Sequence, residues 1–255
     1  MVQPRLVTIP ISHYCEKARW ALERAGIGYR EEPHVQGIHQ LAARRAGGGV
    51  TVPVLVTDGG AVGESQQILE WVDERTPPEH RLFSQDPLVR LQELDTCARL
   101  DALLGPSARR LVYVHMLPQR RLMLDYNNQG VPVWEDRAIR MAWPVFFWFA
   151  RRVLGISPAV QAGDEATLWR EMDFVAALLA DGRPFLYGER FGAADLTFAC
   201  MSAALTWPAE YAVALPDPRS VRPATRSLVM RVREHPAGRY AMSLFAAERR
   251  RSLAA

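Results

Sequence analysis

Every strand signal in this chain ends by Gly63, and after Pro87 the apolar residues follow helical spacing. The chain therefore reads as an α/β part followed by an all-α part. Its first run, Leu6-Val-Thr-Ile-Pro-Ile11, is short, apolar and β-branched. The period then changes: Cys15, Ala18, Leu22 and Ala25 recur three or four apart, with Glu16, Lys17, Glu23 and Arg24 between them. That is a strand leading into an amphipathic helix, with Ser12 at the N-cap and Gly26 as the left-handed residue that ends it. A second strand is expected near Tyr29 to Val35, then a short helical piece between Gly37 and Gly49. Thr51-Val-Pro-Val-Leu-Val-Thr57 is a third strand, and Asp58-Gly59-Gly60 turns it into Ala61-Val62-Gly63. A helix opens at Glu64-Ser65 and runs through Asp73. The first eighty residues thus read β-α-β-(α)-β-β-α. Thr76-Pro77-Pro78-Glu79-His80 stops that helix, because proline disfavours a helical residue before it and lacks a donor.

A length of 255 residues suits two domains, expected at 1–80 and 87–255 with a linker at about 76–87. In the second, Leu88, Leu91, Leu94, Ala98 and Leu104 keep helical spacing, as do Leu168, Met172 and Val175, and Asn127-Asn128-Gln129-Gly130 is a turn or loop. The formal net charge is only +3, so no polyanion-binding surface is implied and nucleic acid is not an expected partner. Lys17 is the only lysine; arginine supplies the rest of the positive charge. The arginine pairs and the tail Arg249-Arg250-Arg251 read as solvated surface. Cys15, Cys97 and Cys200 are odd in number and widely spaced, and nothing at the start marks export, which together suit a cytoplasmic protein. The most apolar run, Met141 to Ala150, is ten residues long, half of the roughly 20 that a spanning helix needs, so no transmembrane segment is expected. The six histidines show no metal-ligand spacing, so no metal is expected. There is no GxSxG, P-loop or GxGxxG pattern.

The chemistry concentrates at Ser12-His13-Tyr14-Cys15, where a strand meets a helix. A helix N-terminus presents unpaired N–H groups and partial positive charge, so an anion such as a thiolate is stabilised there. Lowering a thiol pKa from about 8.5 to about 6.5 takes roughly 2.7 kcal/mol. A charge-assisted hydrogen bond from the Ser12 hydroxyl, about 1.5–3 kcal/mol, and a dipole contribution of about 0.3–1 kcal/mol cover it. Taken alone, Ser12 reads first as a plain helix cap. Cys15, one turn into the helix on its apolar face, reads as a small buried hydrophobe, as do Cys97 and Cys200.

The order of further motifs weighs against the plain cap. Ser12-x-x-Cys15-x-Lys-Ala-Arg-Trp-Ala-Leu22, then Val52-Pro53, then Glu64-Ser65, with a helical part after them, resembles the cytosolic glutathione transferase family over nearly the whole chain. Pro184-Phe-Leu-Tyr-Gly188 and Phe191-Gly-Ala-Ala-Asp-Leu196 look like that family's capping segment, with Asp195 at the third helical position and Gly192 where the family usually has Ser or Thr. The resemblance implies a thioredoxin-like N-terminal domain that binds glutathione as co-substrate and a helical-bundle domain that carries a pocket for a hydrophobic electrophile. It also implies a homodimer.

Carried over residue by residue, the resemblance makes Ser12 the group that polarises the glutathione thiol. It makes Pro53 a cis-proline that presents the backbone of Val52 to the cysteinyl part of glutathione, and gives Glu64 and Ser65 the γ-glutamyl end. Thr51 stands where many family members place a lysine or glutamine for the glycyl carboxylate; His39 or Gln40 could substitute. Tyr14 is a rival thiol donor. The electrophile pocket is expected to draw on Tyr14, on the stretch from Arg109 to Tyr113, and on the Trp143 to Phe149 run. Two readings compete with the transferase: a non-catalytic binding or scaffold protein on the same fold, which the aromatic-rich segment 119–156 would suit, and a thiol reductase working through Cys15.

Overall fold

The computed structural model describes residues 3–249. Its first part runs β1 (Arg5–Thr8), α1 (His13–Arg24), β2 (Arg30–Pro33), α2 (Ile38–Arg45), β3 (Val54–Thr57), β4 (Gly60–Gly63) and α3 (Ser65–Arg75). The strands form one mixed sheet in the order β2-β1-β3-β4, with β1 and β2 parallel and the other pairs antiparallel. Side chains alternate across it. Leu6 and Leu55, paired in register, face the main core with α1 and α3, while Val7 and Val54 turn to the other face and close on Ala43 and Ala46 at α2. β1 and β3 are shorter than their apolar runs suggested. The chain turns after Thr8, where the Ser12 amide donates to the Ile9 carbonyl at 3.1 Å, and the cis Val52–Pro53 peptide keeps Thr51 and Val52 out of β3. Gly26 ends α1 with φ +67°: its amide donates to Glu23 and that of Ile27 to Leu22, a Schellman closure.

The second part is helical: α4 (Pro87–Arg99), a π-helical turn over Leu100–Leu104, α5 (Gly105–Met116), α6 (Arg120–Asn127), α7 (Val133–Met141), α8 (Trp143–Val153), α9 (Pro158–Leu178), α10 (Ala193–Thr206), α11 (Pro223–Glu234) and α12 (Pro236–Leu244). α10, made almost wholly of small and apolar residues, runs through the middle and is buried along nearly its whole length. No helix among the described residues is long and apolar enough to cross a membrane.

Two expectations need correction. α1 is not amphipathic, because His13 and every residue from Cys15 to Leu22 are buried between the sheet and the helical part. Its charges are neutralised by distant partners: Lys17 by Asp101 at 2.7 Å, Arg19 by Glu31 at 2.6 Å, and Glu16 by Arg249 at 2.9 Å. Arg249 is accordingly no solvated tail residue but fully buried, with its guanidinium over the Trp20 ring. Arg250 and Arg251 lie outside the described residues.

The segment from 119 to 156 folds as α6, α7 and α8 around a second core that includes Met123, Ile139, Trp143 and Trp207. It also reaches the first part. Glu135 on α7 accepts from the Val35 amide at 3.0 Å and bonds His34 Nδ1 at 2.8 Å, and Asn127 exchanges hydrogen bonds with Gln36. The outward side of α8 leaves Val145, Trp148 and Phe149 exposed.

At the start of α10, Asp195 accepts from the Gly192 amide at 2.8 Å and the Leu186 amide at 2.9 Å. Gly192 is a glycine for a tertiary reason: a Cβ there would stand 2.9 Å from a carboxylate oxygen of Glu93. Burial, with Asp195 and Asp73 nearby, pushes the Glu93 carboxyl up to about 7 against the opposing hydrogen bond from the Ser84 amide. A carboxyl with a raised folded-state pKa binds more protons folded than unfolded, so it removes stability as pH rises from its ordinary value of 4.5 toward 7. Glu93→Gln should therefore gain stability over the parent at pH 8 and lose that advantage near pH 4.5, read by thermal unfolding across the interval. An offset independent of pH would refute the assignment.

Candidate active site

Ser12 is the N-cap of α1, in extended conformation, and its Oγ accepts only a long hydrogen bond, 3.4 Å, from the Cys15 amide. A hydroxyl that accepts here keeps its own proton to donate elsewhere. Cys15 behind it is completely buried, and burial pushes its thiol up, which suits a packed hydrophobe and not a nucleophile. The Tyr14 hydroxyl donates to the Asp101 carbonyl at 2.8 Å, so its proton is already placed, and burial raises its pKa. Ser12 is thus the hydroxyl whose proton is uncommitted.

The cis peptide at Pro53 leaves the N–H and C=O of Val52 without a backbone partner, beyond the end of β3. That is a short strand edge able to pair with one peptide unit. Glu64 precedes α3 with φ +58°, an uncommon conformation for a residue with a side chain, and its carboxylate accepts from the Thr51 hydroxyl at 2.7 Å. Ser65, buried, is the first residue of α3 and sits among the unpaired amides of that helix start. These residues form one constellation: Val52 is bonded to Thr51 and Pro53, and Thr51 is hydrogen-bonded to Glu64, next to Ser65. Thr51 is therefore occupied with Glu64.

Ser12, Thr51 and Val52 line one side of a cavity of about 290 Å³ between the two parts of the molecule. Across it stand Arg109, Val112 and Tyr113 of α5, Phe146 and Phe149 of α8, and Trp207 after α10. His39 and Gln40 lie on the wall as well, with Tyr14 beside Ser12. Trp143, by contrast, turns away into the second core. Sequence reasoning named His13 only as part of the Ser12–Cys15 stretch, without a role, and missed Gln36 and Trp207. His13 is buried with its Nε2 unpartnered, and burial together with the Arg109 charge lowers its pKa to about 3, so it is neutral. Gln36, tied to Asn127, brings the β2–α2 loop to the wall. No periodic signal marks either. Among the described residues no three His, Cys, Asp or Glu side chains form a group able to hold a metal ion.

Residues 6–80 match the family model described as Glutathione S-transferase, N-terminal domain. No curated protein matches the chain. Solved structures similar to it include a glutathione S-transferase from Xanthobacter autotrophicus Py2, at 19% identity and TM-score 0.60, covering 96% of this chain and 93% of that one. Poplar glutathione transferase F1 is similar at 14% identity and TM-score 0.62, covering 100% and 98%. A glutathione S-transferase from Methylobacillus flagellatus KT with glutathione bound is similar at 18% identity and TM-score 0.56, covering 93% and 98%. The chain has the glutathione S-transferase fold: a thioredoxin-like N-terminal part that carries the matching segment, followed by a helical C-terminal part.

Proposed function

We propose that this protein is a glutathione-dependent transferase that activates the glutathione thiol for attack on a hydrophobic electrophile. What supports this reading is the Ser12 hydroxyl and the Val52 backbone on one cavity wall, with the Glu64-Ser65 helix start joined to that wall through the Thr51–Glu64 hydrogen bond. The donor set fits glutathione. Val52 offers strand-like pairing to its cysteinyl unit. Ser65 and the α3 amides suit the γ-glutamyl carboxylate, and the Glu64 carboxylate suits the ammonium. His39 and Gln40 are the polar groups left for the glycyl end.

In the reaction the Ser12 hydroxyl donates to the glutathione sulfur, which holds it as thiolate once its proton has gone to solvent. The sulfur lone pair forms a C–S bond at the electrophilic carbon, and the leaving group departs with the bonding pair, or that pair moves into the adjoining π-system. Thiolate stabilisation and proximity supply the rate. A cytoplasmic two-fold dimer belongs to the same reading, and three buried unpaired cysteines suit a reducing compartment.

Titration of reduced glutathione into the protein should show saturable binding that Ser65→Ala weakens. Ser12→Ala should keep glutathione affinity within a few fold and lower the conjugation rate by about 10- to 150-fold, the worth of one hydrogen bond to a charged group. Absence of binding at millimolar glutathione would sink the reading. The competing reading, a non-catalytic binding role, draws on the exposed aromatic side of α8; it predicts that Ser12→Ala changes no activity, because none exists.

A further inference from the structure

Among the described residues the cavity wall is apolar apart from a few neutral polar groups, and it carries one formally charged side chain, Arg109. Neighbouring arginines on α5 are treated differently. Arg110 meets Asp164 through two hydrogen bonds, at 2.8 and 2.5 Å. Arg109 makes no ion pair or hydrogen bond with any described residue, and its Nε is buried without a partner. Among the described residues no carboxylate lines the cavity to neutralise it, and the ionisable side chains of the wall that feel its charge, His13, Tyr14 and Tyr113, are themselves neutral. Arg109 is half-buried as a whole, and holding its Nε away from water without a hydrogen-bond partner is costly. Such a group is tolerated where a ligand completes it.

We infer that the cavity takes an apolar molecule bearing an anionic head, a carboxylate or a group of the same geometry, and that Arg109 receives that head in a forked hydrogen-bonded pair. The aromatic wall formed by Phe146, Phe149 and Trp207 holds the apolar body. The inference rests on the transferase reading only in taking the occupant to be the electrophile; the pairing of cavity and anion stands without it. Arg109 would then determine which electrophiles the enzyme accepts.

The test uses 2-naphthoate and its neutral counterpart 2-naphthamide, titrated calorimetrically into the full chain with and without saturating glutathione. The parent should bind the carboxylate about 10- to 100-fold more tightly than the amide, the range for a charge-assisted forked pair. Arg109→Met should erase that preference while leaving the amide affinity within about threefold, and Arg109→Lys should restore part of it. Glutathione affinity, measured separately, should not change in Arg109→Met. Equal binding of the two probes by the parent, binding of neither, or an undiminished preference in Arg109→Met would overturn the inference. So would a loss of glutathione affinity in Arg109→Met without a change in naphthoate binding, which would assign the guanidinium to the glycyl carboxylate of glutathione. Failure of glutathione to bind the parent, with the naphthoate preference intact, would remove the transferase reading alone.

Discussion

Lys17→Met should lower the melting temperature by on the order of 10 °C. The Lys17 side chain is wholly buried, and its ammonium donates to Asp101 Oδ2 at 2.7 Å and to Gln66 Oε1 at 2.8 Å. It thereby ties α1 to α3 and to the π-turn between α4 and α5. Asp101 is poorly placed to lose it: its other carboxylate oxygen is already buried without a partner, and burial raises its pKa against the pull of Lys17. Removing one member of a buried pair leaves an uncompensated charge, a cost of about 3–5 kcal/mol, and at this size each kcal/mol is worth roughly 2–4 °C. The loss should reach the candidate site, because the same π-turn accepts the Tyr14 hydroxyl through the Asp101 carbonyl. Adding Asp101→Leu to Lys17→Met should recover most of the melting temperature, since two apolar groups leave no orphaned charge. A Lys17→Met protein that melts with the parent would show that the pair contributes no stability.

Arg249→Met should cost nearly as much. Glu16 is fully buried on α1 and depends on Arg249 Nε at 2.9 Å, with Arg19 farther off at 3.4 Å. Arg249 also pairs with Glu23 and covers the Trp20 ring. The substitution would leave Glu16 with two weak partners, Arg19 and the Ala212 amide, each at 3.4 Å, and we expect a fall of roughly 5–15 °C together with faster cleavage by protease near the chain end. Unchanged thermal unfolding would mean that Glu16 is adequately held by Arg19 and the Ala212 amide.

Both predictions rest on contacts that no local pattern reveals. The change of period at residue 12 placed a strand before a helix, and Ser12 and Gly26 marked the ends of that helix through local backbone chemistry. The succession of elements along the first eighty residues, the turn at Asp58-Gly59-Gly60 and the break at Thr76-Pro77-Pro78 are local too, and legible for that reason. Glu16 and Lys17 read as a polar face because hydrophobic periodicity treats any charge as outward-facing. Their partners Asp101 and Arg249 lie 84 and 233 residues away along the chain. The candidate site divides the same way. Ser12, Val52-Pro53 and Glu64-Ser65 stand out as ordered motifs, whereas Gln36 and Trp207 join them only in the packed cavity.

Sequence by itself determined the elements, their order, the helix ends and the residues of the N-terminal constellation, because caps, turns and apolar periods act over a few neighbouring residues. Tertiary structure alone decided which charges are neutralised. It set the Glu93 carboxylate close against Gly192, gave Arg110 a carboxylate, and left Arg109 facing an apolar cavity without one among the described residues. Electrostatic partnership depends on distances between segments far apart in the chain, and only the packed fold sets those distances.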